Sequence, residues 1–267
     1  MKRLLFGLIF LMVVCTCGCV DVGEVEPEIT PPTIAEPTVT SSTPIVTIPY
    51  TTPEPTETPP SPTSVPTPTP TPKTTETIYY TFSYPDVVTV NITVPIEDVA
   101  ETEKFFGLLD DAQDYMLNAD DNSYNAFLKD DDAKIISWGL EPGKDDIYWR
   151  DAIGIQEEAI AFSKVAITDY EYAKTMVENA KSIAPTNSYK KTCKLYITLI
   201  ETDISMEEYA ISSSKNSKNA YGYYKQNSVS TGDRYTDKSN EDVKKRNHEV
   251  VNFNELIEEL SYLIENL

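Results

Sequence analysis

IYWRDAIGIQEEAIAFSKVAITDYEYAKTMVENAKSIA, residues Ile147–Ala184, is the stretch on which the fold turns. Apolar residues fall at Ala152, Ile155, Ala159, Phe162, Ala166, Ala173, Met176, Ala180 and Ile183, in steps of three and four with one skipped position at Asp169. That spacing is an amphipathic helix close to the coiled-coil period. No proline interrupts it, and its single glycine is Gly154. At a rise of 1.5 Å per residue the rod is about 57 Å long, which needs its stripe covered to be stable in water. Five of the stripe positions are alanine, so a neighbouring helix can come close.

Working outward, Pro185-Thr186-Asn187-Ser188 reads as a turn. Tyr189 to about Tyr221 then returns with Tyr189, Cys193, Tyr196, Ile200, Ile204 and Ile211 at helical spacing, which makes an antiparallel helical hairpin. The far part of the returning helix becomes polar across Ser212–Ser217 and reads as a frayed or loosely packed tip. Residues 226–238 read as a loop, and Ser239-Asn240-Glu241-Asp242 as a capping-box-like helix start. The last helix carries Val243, Val250, Phe253, Ile257, Leu260, Ile264 and Leu267. Before the central helix, Ile96–Asn118 presents Val99, Phe106, Leu109, Ala112 and Met116 on one face, with acids near the positive end of its dipole. A break is expected at 119–123, a short helix at Tyr124–Ser137, and a loop at 139–143. The fold class is mainly α: an elongated antiparallel helical bundle over residues 96–267.

A β-ribbon is expected at residues 78–95. Ile78–Tyr84 is aromatic and β-prone, Pro85-Asp86 is a turn, and Val87–Val94 is rich in β-branched residues. Two strands alone are marginal, so the ribbon needs the helices or another molecule to lie against. Asn91-Ile92-Thr93 on it is an N-glycosylation sequon, making Asn91 a candidate modification site.

The first 77 residues have a different character. Met1–Lys2–Arg3 and the apolar run Leu4–Val14 form a signal peptide over residues 1–18, too short to span a bilayer as a helix unless it extends through Val20. An uncleaved signal anchor and a plain secreted product are the other readings, and all three export the chain. The run ends in Cys15-Thr16-Cys17-Gly18-Cys19, and Gly18-Cys19 looks like a lipoprotein cleavage site with Cys19 as the lipid-bearing N-terminus. Cys17, with Val14 three residues before it, competes for that role. Fifteen of the 19 prolines lie between Pro27 and Pro72, with Thr-Pro alternation densest at Pro66–Pro72. Proline removes donors and fixes φ, so residues 19–77 form a disordered, extended spacer, either O-glycosylated or bare. At about 3.1 Å per residue the spacer reaches on the order of 150 Å. Lipobox, Thr/Pro stalk and acidic ectodomain together resemble archaeal cell-surface lipoproteins, those of methanogens included. The resemblance covers about residues 1–77 and implies location, not activity.

Composition excludes more than it names. Twenty-two basic against 43 acidic residues give a net charge of −21, a field that repels nucleic acid and anionic headgroups and favours cations or a positively charged partner. The one histidine, His248, has Lys245 three residues before it, so Glu-x-x-His di-iron ligation and multi-histidine zinc sites are excluded. Glu157-Glu158, Glu207-Glu208 and Glu258-Glu259 are adjacent pairs whose members point about 100° apart on a helix, and they read as solvated faces. The acid-rich segment Asp110, Asp111, Asp114, Asp120, Asp121, Asn122 and Asp130-Asp131-Asp132 is the one stretch that offers calcium its oxygen ligands, yet no glycine lies between Asp120 and Asp132 for an EF-hand bend. Cys193 reads as a small buried hydrophobe. Tyr221, Tyr223 and Tyr224 sit where the helical pattern stops, either as an exposed aromatic contact patch or as packing against the ribbon or a neighbouring loop. Catalytic, cofactor-binding and metal residues are expected to be none. The function expected is a membrane-anchored, extracytoplasmic, non-enzymatic helical bundle that binds a surface protein or glycan or serves the envelope. The alternative is a solute- or signal-binding module with a pocket between the helices.

Overall fold

The computed structural model describes residues 73–85 and 87–267. The signal peptide, Cys19 and residues 20–72 of the expected stalk lie outside the described residues, whereas Thr75, Glu76 and Thr77, expected as the disordered end of the stalk, are strand. Two antiparallel strands, β1 (Thr75–Phe82) and β2 (Val88–Pro95), precede four helices: α1 (Val99–Ser137), α2 (Asp146–Ser182), α3 (Asn187–Lys225) and α4 (Val229–Glu265). A 3-10 turn at Ile96–Asp98 joins β2 to α1. The mainly α, antiparallel bundle that the periodicity demands is the fold that forms. α1 packs on α2, α2 on α3 and α3 on α4, while β1 meets α1 and β2 meets α4.

Heptad alanines explain the tightest of these interfaces. Ala112, Ala119, Ala126 and Ala133 recur every seven residues on α1, and Ala152, Ala159, Ala166, Ala173 and Ala180 do so on α2. All nine are buried. With a methyl as the only side chain at the seam, the helix axes can approach to about 8 Å, the short end of the usual range. The complementary heptad position of α2 holds Trp149, Gln156, Ser163, Tyr170 and Val177, also buried. The seam is therefore narrow and, in its middle, polar.

Three expectations are corrected. α1 runs unbroken through residues 119–123, because Ala119 and Ser123 continue its buried stripe and neither proline nor glycine stops it. The flanking Asp120, Asp121 and Asn122 made that segment read as a break. α4 begins at Val229, ten residues before the capping-like Ser239. Ser239 and Asp242 are buried inside it and bond across to α3. Ser213, Ser214 and Ser217 are likewise buried, and Ser239 Oγ lies 2.8 Å from Ser213 Oγ and 2.9 Å from Ser217 Oγ. Asp242 accepts from Ser212 at 2.6 Å and from Asn216 at 3.0 Å. The Ser-rich stretch is thus a close, hydrogen-bonded helix seam, and small polar residues hid it from a reading based on apolar periodicity.

The ribbon is amphipathic. Thr77 faces Thr93, Tyr79 faces Asn91 and Thr81 faces Thr89 on the outer side, with threonine hydroxyl pairs 2.9 and 2.8 Å apart. Tyr80, Phe82, Val90 and Val94 are buried on the inner side. Tyr80 stacks on Phe106 at 4.2 Å between ring centroids, and Phe82 faces Tyr196 at 6.5 Å. Strand β1 starts three residues before the expected Ile78. The main apolar core gathers here, around Phe82, Phe105, Tyr189, Leu199, Ile200, Leu260 and Ile264.

Candidate functional site

Two places in the helical unit depart from ordinary bundle packing. The first is the end away from the ribbon. The described chain enters beside the start of α1, where Lys73 pairs with Glu97 at 2.8 Å and Ile96 N–H bonds to Thr74 O at 3.2 Å. A helix of 39 residues carries the chain about 58 Å from that point. At the far end, the turn between α1 and α2 leaves Trp138 89% exposed, with Ile135, Ile147 and Tyr148 exposed as well.

This turn is held from beneath. Gly139 and Gly143 take φ of 80° and 74°, which only glycine adopts without cost. Gly143 N–H donates to Tyr224 O at 2.8 Å, and a Cβ at Gly143 would lie 2.7 Å from Asn227 Cβ. Trp149, Tyr221, Ala133 and Ala152 form a second, smaller core below it, with Tyr224 packed alongside and its ring 5.5 Å from that of Trp149. Gly232 on α4 makes room for Tyr224, since a Cβ there would meet the ring at 2.4 Å. The exposed aromatics therefore project from a fixed base, the arrangement in which a contact surface loses least entropy on binding.

The second place is the interior between α1, α2 and α3. Tyr170 donates to Asp120 Oδ1 at 2.6 Å, and Ser123 donates to Glu207 Oε1 at 2.5 Å. Asp203, one helical turn before Glu207, is buried beside them. Asp203 Oδ2 and Glu207 Oε2 are buried without a hydrogen-bond partner. Burial raises the Asp120 carboxyl to about 6, the Tyr170 hydrogen bond opposing the shift and the charges of Asp121 and Glu207 adding to it. Burial, reinforced by Asp120 and Glu207, holds Asp203 well above the usual carboxylate range. Tyr84, at the ribbon turn, and Tyr170 have their phenols raised by burial and by the same acids. Further along, Gln156 donates to Asp130 Oδ1 at 2.9 Å, and Lys134 pairs with Asp130 Oδ2 at 2.5 Å.

The residues singled out by sequence are scattered. Asn91 is exposed on the outer face of β2, opposite Tyr79, which is exposed too. Tyr221 is buried against Trp149, and Tyr224 is half-buried on the same ring with its hydroxyl donating to Asp233 at 2.8 Å. Tyr223 stacks on Tyr235 at 5.4 Å. The partners of this trio lie on helices α2 and α4, not on the ribbon or a loop. His248 is exposed on α4. Cys193 is buried, and burial pushes its thiol up to about 12. Glu157, Glu158, Glu208, Glu258 and Glu259 are solvated, whereas Glu207 is buried, a correction to the reading of its pair as a solvated face. The signal for Glu207 was present: Cys193, Ile200, Glu207, Ser214 and Tyr221 are spaced by seven, and all are buried.

Among the described residues, no group of three or more His, Cys, Asp or Glu is placed to hold a metal ion, and no helix is long and apolar enough to cross a membrane. A groove between α2 and α3 bears Glu171, Lys174, Glu178, Glu201 and Ser205 and is open to solvent. Lys174 bridges it to Glu201 at 2.6 Å. The chain matches no protein-family model, no curated protein and no solved structure.

Proposed function

We propose that the chain is an extracytoplasmic lipoprotein, held at the membrane through Cys19, whose helical unit presents its far end to a surface protein or glycan. The observation that carries this reading is the position of Trp138, Ile135, Ile147 and Tyr148: exposed, on a pinned turn or on the helix ends that flank it, about 58 Å from where the described chain enters. Tryptophan and tyrosine supply the largest contact energies at interfaces and stack well on sugar rings. The sequence features supporting the anchor are Gly18-Cys19 after the apolar run and the proline-rich spacer that follows. The net charge of −21 disfavours nucleic acid and anionic lipid as the partner and favours a basic surface.

Binding rather than catalysis is the proposed role. Among the described residues, the one histidine and the one cysteine are apart, with His248 out in solvent on α4 and Cys193 inside α3. The solute-binding alternative finds support, among the described residues, in the groove of Glu171 and Lys174, which is open to solvent.

Photocrosslinking in cells that express the chain natively tests this. With Trp138 replaced by a photoreactive phenylalanine analogue, irradiation is expected to give discrete adducts. The same analogue in place of Tyr79, on the outer ribbon face, is expected to give few. Adducts from position 79 with none from position 138 would overturn the assignment of the far end.

A further inference from the structure

The interior carboxylates pose a problem of charge that the fold itself resolves. Asp203 and Glu207 are four residues apart on α3, so their side chains leave the same face about 5–6 Å apart at Cβ. Both are buried, and each has one oxygen satisfied or accessible and one orphaned: Oδ2 of Asp203 and Oε2 of Glu207. Two buried anions side by side, without a cation, are far costlier than one. None of the ion pairs among the described residues includes Asp120, Asp203 or Glu207.

We propose that Asp203 and Glu207 form a proton-binding site, in which Asp203 Oδ2 carries a proton that it donates to Glu207 Oε2 in the folded unit. One proton then satisfies both orphaned oxygens and removes one of the two charges. Glu207 remains the anion, held by Ser123 at its other oxygen. The groups facing this pair from α1, α2 and the ribbon are acids and phenols. They are Asp120 on α1, Tyr170 on α2, and Tyr84 at the ribbon turn, which also faces Tyr196 on α3. From α4, which packs on α3, Arg246 has a buried Nε without a hydrogen-bond partner, and among the described residues it forms an ion pair with none of these acids. The raised carboxyl of Asp203 agrees with this geometry.

The sign of the effect follows. An acid whose folded value lies above its unfolded value of 3.8 gives the folded state more bound protons than the unfolded state. Its contribution to stability is complete below the unfolded value and is lost as pH rises through the folded one. The helical unit is therefore tightened by mild acid, and its folding takes up protons from near-neutral solution.

Proton uptake on refolding of the full chain at pH 6.5, measured with a pH indicator in weak buffer, tests the proposal. The wild type is expected to take up protons, and Asp203→Asn, whose amide donates without a titrating proton, is expected to take up about one fewer. Equal uptake by wild type and Asp203→Asn would overturn the proposal. Should Asp203→Asn fail to fold, the carbon-13 carboxyl resonance of Asp203 in the labelled wild type decides it. A protonated-acid shift persisting at pH 6.5 is expected; a carboxylate shift at that pH sinks the idea. Calcium at pH 7 raising Tm where acid does not would also overturn it, since a cation would then be the charge that fills the site.

Discussion

Tyr170 does at the residue scale what the interior needs most: it gives a donor to a carboxylate that has no cation. Its phenol holds Asp120 at 2.6 Å and opposes the rise that burial imposes on that carboxyl. Tyr170→Phe removes the donor to a charged acceptor and is expected to cost about 2 kcal/mol at pH 7.5. The cost should fall below about 1 kcal/mol at pH 4.5, where Asp120, normally titrating at about 6, is protonated in both proteins. Chemical denaturation at the two pH values checks this; an equal cost at both would mean the bond is not to a carboxylate. Cys193 gives a second expectation at this scale. With its thiol buried and pushed up to about 12, it should resist thiol reagents in the folded protein and react only on unfolding, as read by mapping the Cys193 peptide. Its buried placement was legible from helical spacing alone. Burial of Asp203 and Glu207 was not, because acids at core positions look like solvated face residues until the heptad series around them is written out.

At the scale of elements, the α1–α2 seam rests on what its alanines lack. Ala166 is fully buried midway along α2, with Ala119 and Ala126 continuing the complementary series on α1. Ala166→Leu is expected to destabilise the protein by about 1–3 kcal/mol through overpacking, even though leucine forms helix almost as well as alanine. Urea unfolding followed by circular dichroism measures this; a neutral or stabilising result would mean the seam is looser than the alanine series implies. The α2 stripe was readable from residues 147–184 because its apolar positions recur without interruption. The continuity of α1 and the true start of α4 were not, for a common reason. Ser123, Ser213, Ser217, Ser239 and Asp242 fill seam positions with polar side chains that bond across the interface, so the stripe fades in hydropathy while the packing goes on.

For the whole molecule, the ribbon and the far turn define two unlike ends of the helical unit. At one end Phe82, Phe105, Tyr189 and Leu260 bring β1, α1, α3 and α4 into a single apolar core. At the other, a small core of Trp149 and Tyr221 supports a turn that leaves Trp138 in solvent. That polarity was beyond the sequence, since Trp138 and Trp149 are indistinguishable until the path of the 138–145 turn is known. The existence of a ribbon and an antiparallel bundle was within it. The proposed role joins this unit to the N-terminal Cys19 through the Thr/Pro spacer, and the anchor is the premise on which presentation of the far end depends. The most direct test is the intact mass of the protein extracted from native membranes. The account predicts a chain that starts at Cys19 and carries lipid mass on it, with any further mass arriving in sugar increments. An unlipidated chain recovered from the soluble fraction, or one that retains residues 1–18, would contradict it.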